Sequence, residues 1–229
     1  MNRHTLFAVS MALLSGVSSA ALSVDSRAAV ADPARTAARD GLVSVYSKSL
    51  DEVYLRPSGD LTVYRKVLID PAEVAFRKNW LKDLNGTRGP SRWISASDAQ
   101  EIAQLGAASM AKMVADEFVA KGYEIVATPG PGVLRVTPSV TELDIYDPVV
   151  PFARPEKLFT QDAGTAALGL ELRDSQSGAL LGLVVDRTTA HQIHRFNNTT
   201  QTSNQFWFDA MFRLWTANCI VAIQAAPVR

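Results

Sequence analysis

Glycoside hydrolysis needs two carboxylates facing each other across a cleft, and Asp70, Glu73, Glu171 and Asp186 are acids that a fold could arrange in that way. Nothing in their spacing requires it. Strand-end acids equally cap turns or pair with neighbours such as Arg65, Arg173 and Arg187. His191 and His194 could share a metal on a helix, but their segment is polar and offers no Cys or Glu-x-x-His partner. Pro129-Gly130-Pro131-Gly132 has the glycines of a phosphate cradle without its Gly-Lys-Ser/Thr ending, and it leads into a strand, so it reads as a tight turn. Acyl transfer would need a Gly-x-Ser-x-Gly elbow or a histidine-activated cysteine, and neither is present. The chain therefore nominates no catalytic, cofactor-binding or metal-binding residue.

The 229 residues carry 23 Lys plus Arg and 23 Asp plus Glu, so no overall field attracts nucleic acid or an anionic membrane. Hydrophobic residues make up 47%, enough to bury a core. Met1-Asn2-Arg3-His4, the apolar run Leu6 to Leu14 and Ser18-Ser19-Ala20 have the order of a secretory signal peptide with cleavage after Ala20. The apolar run is about half the length of a spanning helix, so no stable transmembrane anchor is expected. Leu14-Ser15-Gly16 resembles a lipoprotein signal, but the position of the lipid-accepting Cys is held by Val17. A released periplasmic or secreted protein follows. Cys219, the lone cysteine, rules out an intramolecular disulfide and falls in an apolar helical pattern, as a buried thiol would.

After a signal peptide over 1–20, the Ala-rich, polar stretch 21–40 reads as a flexible leader, and 41–229 as a single domain. Leu61 to Ile69 reads as the first strand, with a continuation to Phe76 beyond a kink at Asp70-Pro71. Ser97 with Gln100 suggests a capping box for a helix whose stripe is Ala103, Ala107, Met110, Ala111, Val114 and Phe118 and which ends at Lys121-Gly122. The period then falls to two: 123–128 and the strand from Val133 predict a hairpin around the Pro-Gly turn, with a bulge near Pro138 to Glu142. A second hairpin joins 164–173 to 179–187 through Asp174 to Gly178. Asp147 to Asp162 reads as an irregular crossing and Thr188 to Gln205 as an exposed loop. A last helix, Asn204 to Ala222, puts Phe208, Met211, Phe212, Trp215 and Cys219 on one face. The expected fold is α+β, an antiparallel sheet of about five strands with two amphipathic helices on one face.

Phe206-Trp207-Phe208 with Phe212 and Trp215 is too wide for one helical stripe. Trp207 at least is expected to point away from the main core, either packed under a loop or belonging with Phe206 and Trp215 to an exposed interaction surface for a partner or a lipid surface.

Leu55-Arg56-Pro57, Tyr64, Val67-Leu68-Ile69-Asp70-Pro71, Trp80, Pro129-Gly130-Pro131-Gly132-Val133-Leu134, Asp174-Ser175 with Gly178, Val185-Asp186-Arg187 and Phe208-Asp209 together resemble domain of unknown function 3313. That is a family of exported bacterial proteins often described as lipoproteins, and the resemblance spans about residues 42 to 222. It implies a Gram-negative envelope protein and supplies no catalytic residue. The leading expectation is a non-enzymatic periplasmic binding or envelope-assembly module with an envelope protein partner. Alternatives are a carboxylate-pair hydrolase and a carrier of a lipid or other apolar ligand.

Overall fold

The computed structural model describes residues 32–146, 148, 162–191 and 201–225. The signal peptide, its cleavage site at Ala20, Val17, most of the 147–162 crossing and His194 lie outside the described residues. In chain order the elements are α1 (Pro33–Arg39), β1 (Val43–Ser44), β2 (Glu52–Leu55), β3 (Lys66–Ile69), β4 (Glu73–Phe76), α2 (Trp80–Gly86), α3 (Ala96–Ala120), β5 (Glu124–Ile125), β6 (Val133–Ile145), β7 (Asp162–Asp174), β8 (Leu180–His191) and α4 (Gln201–Gln224).

The antiparallel strands β6, β7 and β8 are the backbone of the sheet, because their apolar residues alternate over 13, 13 and 12 residues. One side of that alternation, including Val136, Val140, Leu168, Leu170, Leu172 and Val184, enters the main core under α3 and α4. The other side presents Ala167, Leu183 and Val185, which pack with Ala37 and Leu42. A bulge interrupts β6 against β7 between Thr141 and Asp144, where Glu142 takes φ 50°. It falls at the predicted place.

Two expectations about the sheet need correction. Among the described residues it has eight strands and is mixed, in the order β1-β2-β8-β7-β6-β3-β5, with β4 also on β6. β3 and β4 both run parallel to β6, end to end along one edge, and Asp70-Pro71 is the gap between them. The Pro-Gly hairpin does not form. Lys66 of β3 pairs with Glu124 on one side and Val133 on the other, both in parallel, so β3 is wedged between the two strands expected to pair. Pro129 and Pro131 have no N–H to continue a ladder, and Gly132 at φ 67° carries the chain past the start of β3.

The remaining departures are local. Residues 33–39, expected as leader, form α1, because Asp32 accepts the Arg35 amide at 3.1 Å and Ala37 buries its side to 1% exposure. The capping box of α3 is Ser95 with Asp98, two residues before the predicted one: Asp98 already satisfies the Ser95 amide at 2.8 Å. β8 runs on to His191 and α4 begins at Gln201, so the expected loop shrinks from both ends.

α3 and α4 lie side by side and point the same way, since Ser109 bonds Asp209 and Glu117 faces Arg213. Phe118, Met110, Phe212 and Trp215 fill the space between them and the sheet, each at most 3% exposed. Burying such side chains stabilises by roughly 1.5–3 kcal/mol apiece.

Gly164 of β7 passes so close to β6 that an added Cβ would collide with the Asp144 carbonyl oxygen. At Gly182 the obstructions are methyl groups, Leu55 Cδ2 at 2.9 Å and Leu172 Cδ1 at 3.0 Å, which can turn aside. Urea denaturation should therefore show Gly164→Ala losing roughly 1–3 kcal/mol or more, and Gly182→Ala distinctly less. Equal losses would contradict this packing.

Candidate functional site

The four acids with catalytic potential do not share one face of the sheet. Leu168, which faces the helices, is the cross-strand partner of Asp186, whereas Glu171 sits at the opposite phase of β7. The sheet therefore lies between Glu171 and Asp186. Asp186 accepts the Asp51 amide at 3.1 Å while Asp51 accepts the Arg187 amide at 2.9 Å, a reciprocal tie of β8 to the segment before β2. Desolvation raises the pKa of Asp186, against the lowering effect of the Asp51 amide it accepts. Asp70 and Glu171 do share a neighbourhood, because Thr137 is the cross-strand partner of Glu171 and donates to Asp70 at 2.5 Å. Each, however, already holds an arginine: Arg135 Nε is 2.8 Å from Asp70, and Arg173 Nη2 is 2.9 Å from Glu171 Oε2. A glycosidase pair needs two carboxyls aimed at substrate across a cleft, whereas Asp70 and Glu171 are each engaged by an arginine, with Glu171 Oε1 buried without a hydrogen-bond partner. Glu73 lies on β4 opposite Ser139.

A cleft of about 470 Å³ opens elsewhere, lined by Phe76, Arg77, Asn79, Trp80, Leu81, Lys82 and Asn85. Its floor is Phe76 stacked on Trp80, ring centroids 3.9 Å apart and 8° from parallel. Most of its polar lining is committed to structure. Arg77 bridges Asp83 at 2.6 Å and Asp144 at 2.7 Å, and Asn85 makes two 2.8 Å bonds to the Ile94 backbone. Trp80 Nε1 donates to the Ile145 carbonyl at 3.1 Å, which pins α2 to the end of β6.

The polar residues that carry the family resemblance share one feature: they bond to distant parts of the chain. Arg56 reaches the Leu180 carbonyl at 2.8 Å and the Asp40 carbonyl at 3.0 Å, joining β2, β8 and the end of α1. Tyr64 donates to Asp174 at 2.9 Å. Asp174 also accepts the Ser177 amide and closes the β7–β8 turn, and Ser175 exchanges two 3.1 Å bonds with Gly130. Asp209 links α4 to Ser109 of α3. Residue types alone do not announce such long-range ties, and the sequence reading missed all of them except the turn around Asp174.

Of the predicted interaction residues, the structure places Trp215 inside the core at 3% exposure, so it forms no surface. The 100° turn per residue that separates Trp215 from Leu214 carries it under the helix instead of over it. Its Nε1 is buried without a hydrogen-bond partner. Trp207 is half-buried and packs against the main core, and the side chain of Phe206 lies outside the described residues. The exposed apolar residues of α4 are Leu214 at 66% and Val221 at 55%, which the sequence reading did not single out. Cys219 is fully buried and its pKa is pushed up by desolvation, as expected of an inert thiol. Among the described residues no group of three His, Cys, Asp or Glu could hold a metal, and no helix is long and apolar enough to cross a membrane.

Fold and side chains together define an α+β protein with a mixed sheet, two parallel helices on one face, and polar residues committed to bracing the chain. The chain belongs to the family described as protein of unknown function DUF3313, which matches residues 35–217. No curated protein matches it. Among solved structures, the PelC dodecamer from Paraburkholderia phytofirmans aligns at 13% identity over 76% of this chain and 96% of that one, with a TM-score of 0.39. A Xanthomonas campestris protein of family DUF330 aligns at 10% identity over 69% and 82%, with a TM-score of 0.35. A neuraminyllactose-binding hemagglutinin homolog from Helicobacter pylori aligns at 14% identity over 73% and 84%, with a TM-score of 0.30. Likeness at this level carries over neither residue roles nor assembly.

The Tyr64–Asp174 bond has a titration signature. Desolvation first, then the bond and the charge of Asp174, push the Tyr64 pKa from 10.0 up to about 12. The unfolded chain loses this proton before the folded one does, so the contribution is complete below pH 10 and is lost as pH rises toward 12. Absorbance titration should show a tyrosine titrating near 12, later than Tyr54, whose pKa is also raised by desolvation and Glu52, and Tyr64→Phe should remove it, together with a smaller alkaline loss of stability in the variant. Tyrosines all titrating near 10 would contradict the bond.

Proposed function

We propose that this chain is a non-enzymatic binding or assembly module of the bacterial envelope, exported to the periplasm, cleaved after Ala20 and released. The observation that carries the reading is the outer face of α4, where Leu214 and Val221 stand in solvent at 66% and 55% exposure. Exposed large apolar side chains are where contact with a partner would remove most apolar surface from water. Two further observations support it. Three of the four acids a hydrolase would use, Asp70, Glu171 and Asp186, are tied to arginines or a backbone amide, and the polar residues of the family resemblance serve as braces. Export is supported by the order of Met1-Asn2-Arg3-His4, the apolar run and Ser18-Ser19-Ala20, and release by Val17 in the place of a lipid-accepting Cys. A carrier for an apolar ligand between sheet and helices is disfavoured, because Phe118, Leu168, Leu170 and Ile220, all 0% exposed, fill that space.

Two measurements test this. The mass of the protein recovered from periplasm should correspond to a chain beginning at Ala21 with no lipid; an intact N-terminus or an acyl adduct would refute release. Crosslinking in the periplasm should trap a discrete protein complex through α4. A species that stays monomeric under several crosslinkers would remove the binding reading altogether.

A further inference from the structure

The chain as a whole has a formal net charge of zero, but residues 77–93 hold five Lys or Arg and a single acid, Asp83. That acid and Asp144 of β6 are both engaged by one cation, Arg77, at 2.6 and 2.7 Å. Asp98, the next acid along the chain, is turned onto the amide and hydroxyl of Ser95 at 2.8 and 2.6 Å. Lys78, Lys82 and Arg92 stand exposed. The surface of α2 and the turn after it is therefore positive where the total is neutral. Trp93 stands on the same surface. Of the four tryptophans, Trp80 and Trp215 are buried and Trp207 is half-buried, whereas Trp93 is 58% exposed. Its place is fixed from both sides. The turn at Pro90–Arg92 closes the Arg92 amide onto the Gly89 carbonyl at 2.9 Å, and Asn85 of α2 clamps the amide and carbonyl of Ile94 at 2.8 Å each. Lys82 lies one helical turn before Asn85, so the clamp brings Trp93 to the side of α2 that carries this lysine.

From this juxtaposition we infer that the surface docks the protein reversibly on an anionic phospholipid bilayer, with Trp93 entering the headgroup boundary and Lys78, Lys82 and Arg92 facing lipid phosphates. The inference goes beyond the reading of α4 and does not depend on it. Tryptophan beside Lys and Arg is the combination that partitions to membrane interfaces, the ring taking the boundary and the cations the negative surface potential. Two observations favour lipid over an acidic protein. The Trp93 indole N–H already donates to the Arg88 carbonyl at 3.1 Å. A group entering a bilayer must arrive with its polar atoms paired, whereas a protein pocket gains specificity by pairing that N–H itself. Residues Gly89, Pro90, Ser91, Arg92 and Trp93 are exposed in succession, so the turn projects from the body of the protein. A projection can meet a plane, but it offers no groove to hold a peptide. One ring and a few cations make a weak anchor compared with a spanning helix, so the contact should be reversible and should weaken as salt rises.

Sedimentation of the mature chain with vesicles of phosphatidylethanolamine and phosphatidylglycerol should carry protein into the pellet at low salt and release it at high salt. Vesicles of phosphatidylcholine should leave it in solution. Tryptophan emission should shift to the blue on the anionic vesicles and be quenched by brominated phosphatidylglycerol. Lys82→Glu reverses one charge and should weaken binding roughly tenfold or more. Trp93→Ala should weaken binding and abolish both fluorescence signals, and both variants should keep the circular dichroism of the parent. Lys121→Glu, beyond the far end of α3 and about 37 Å away, should bind as the parent does. Leu214→Asp should do the same, which separates a failure here from a failure of the α4 reading. Absence of binding to the anionic vesicles, equal binding to phosphatidylcholine, or binding indifferent to Trp93→Ala or to Lys82→Glu would each overturn the inference. Capture of an acidic protein at Trp93 by a chain that ignores vesicles would overturn it too.

Discussion

The carboxylate of Asp174 is the point on which this fold converges. Its Oδ1 takes the amides of Ser177 and Gln176 and closes the turn between β7 and β8, while its Oδ2 takes the Tyr64 hydroxyl from 110 positions away. Ser175, beside it, holds Gly130. Three segments that would otherwise meet only through the sheet are thereby fastened at one end: the approach to β3, the Pro-Gly run and the long hairpin. That fastening suits the unusual placement of β3 between β5 and β6. A two-residue strand such as β5 has little ladder of its own, so its position depends on these side-chain ties and on the helix packed above it. Hydrogen bonds from the Ser177 backbone, the largest cause, hold Asp174 below the usual carboxylate range and keep it an acceptor at neutral pH.

The same logic accounts for the distribution of polar chemistry. Arg56, Asp70, Trp80, Asp186 and Asp209 are the kinds of residue from which active sites are built, and each is bonded to another strand, helix or loop. On α4 the inner face is consumed by the core, with Phe212, Cys219 and Ile223 at 2% exposure or less, and the outer face exposes Leu214 at 66% and Val221 at 55%. The proposed contact rests on those two exposed apolar side chains.

Periodicity made the long elements legible. The β7–β8 hairpin, the bulge in β6, the kink at Asp70-Pro71 and both long helices follow from patterns of two and 3.6 in the residues themselves. β3 was not placeable, because parallel pairing between Lys66 and Glu124 or Val133 leaves no local mark, and a Pro-Gly run between two strands reads as a hairpin unless something is known to lie between them. Aromatic excess pointed to α4, but Trp215 sits on its core side, and Leu214 and Val221, unremarkable as residue types, turned out to be the exposed ones. The bracing bonds of Tyr64 and Ser175 had no signal in spacing, since hydroxyls form such bonds wherever the fold brings an acceptor.

Deuterium exchange of the mature chain, alone and at high concentration in periplasmic extract, tests the central claim that this family member acts through the outer face of α4 and not through a polar site. The account predicts slowed exchange centred on residues 207–225, with the strands bearing Asp70 and Glu171 and the cleft at Phe76 and Trp80 unchanged. Protection at that cleft or beside those carboxylates, with α4 exchanging as before, would contradict it.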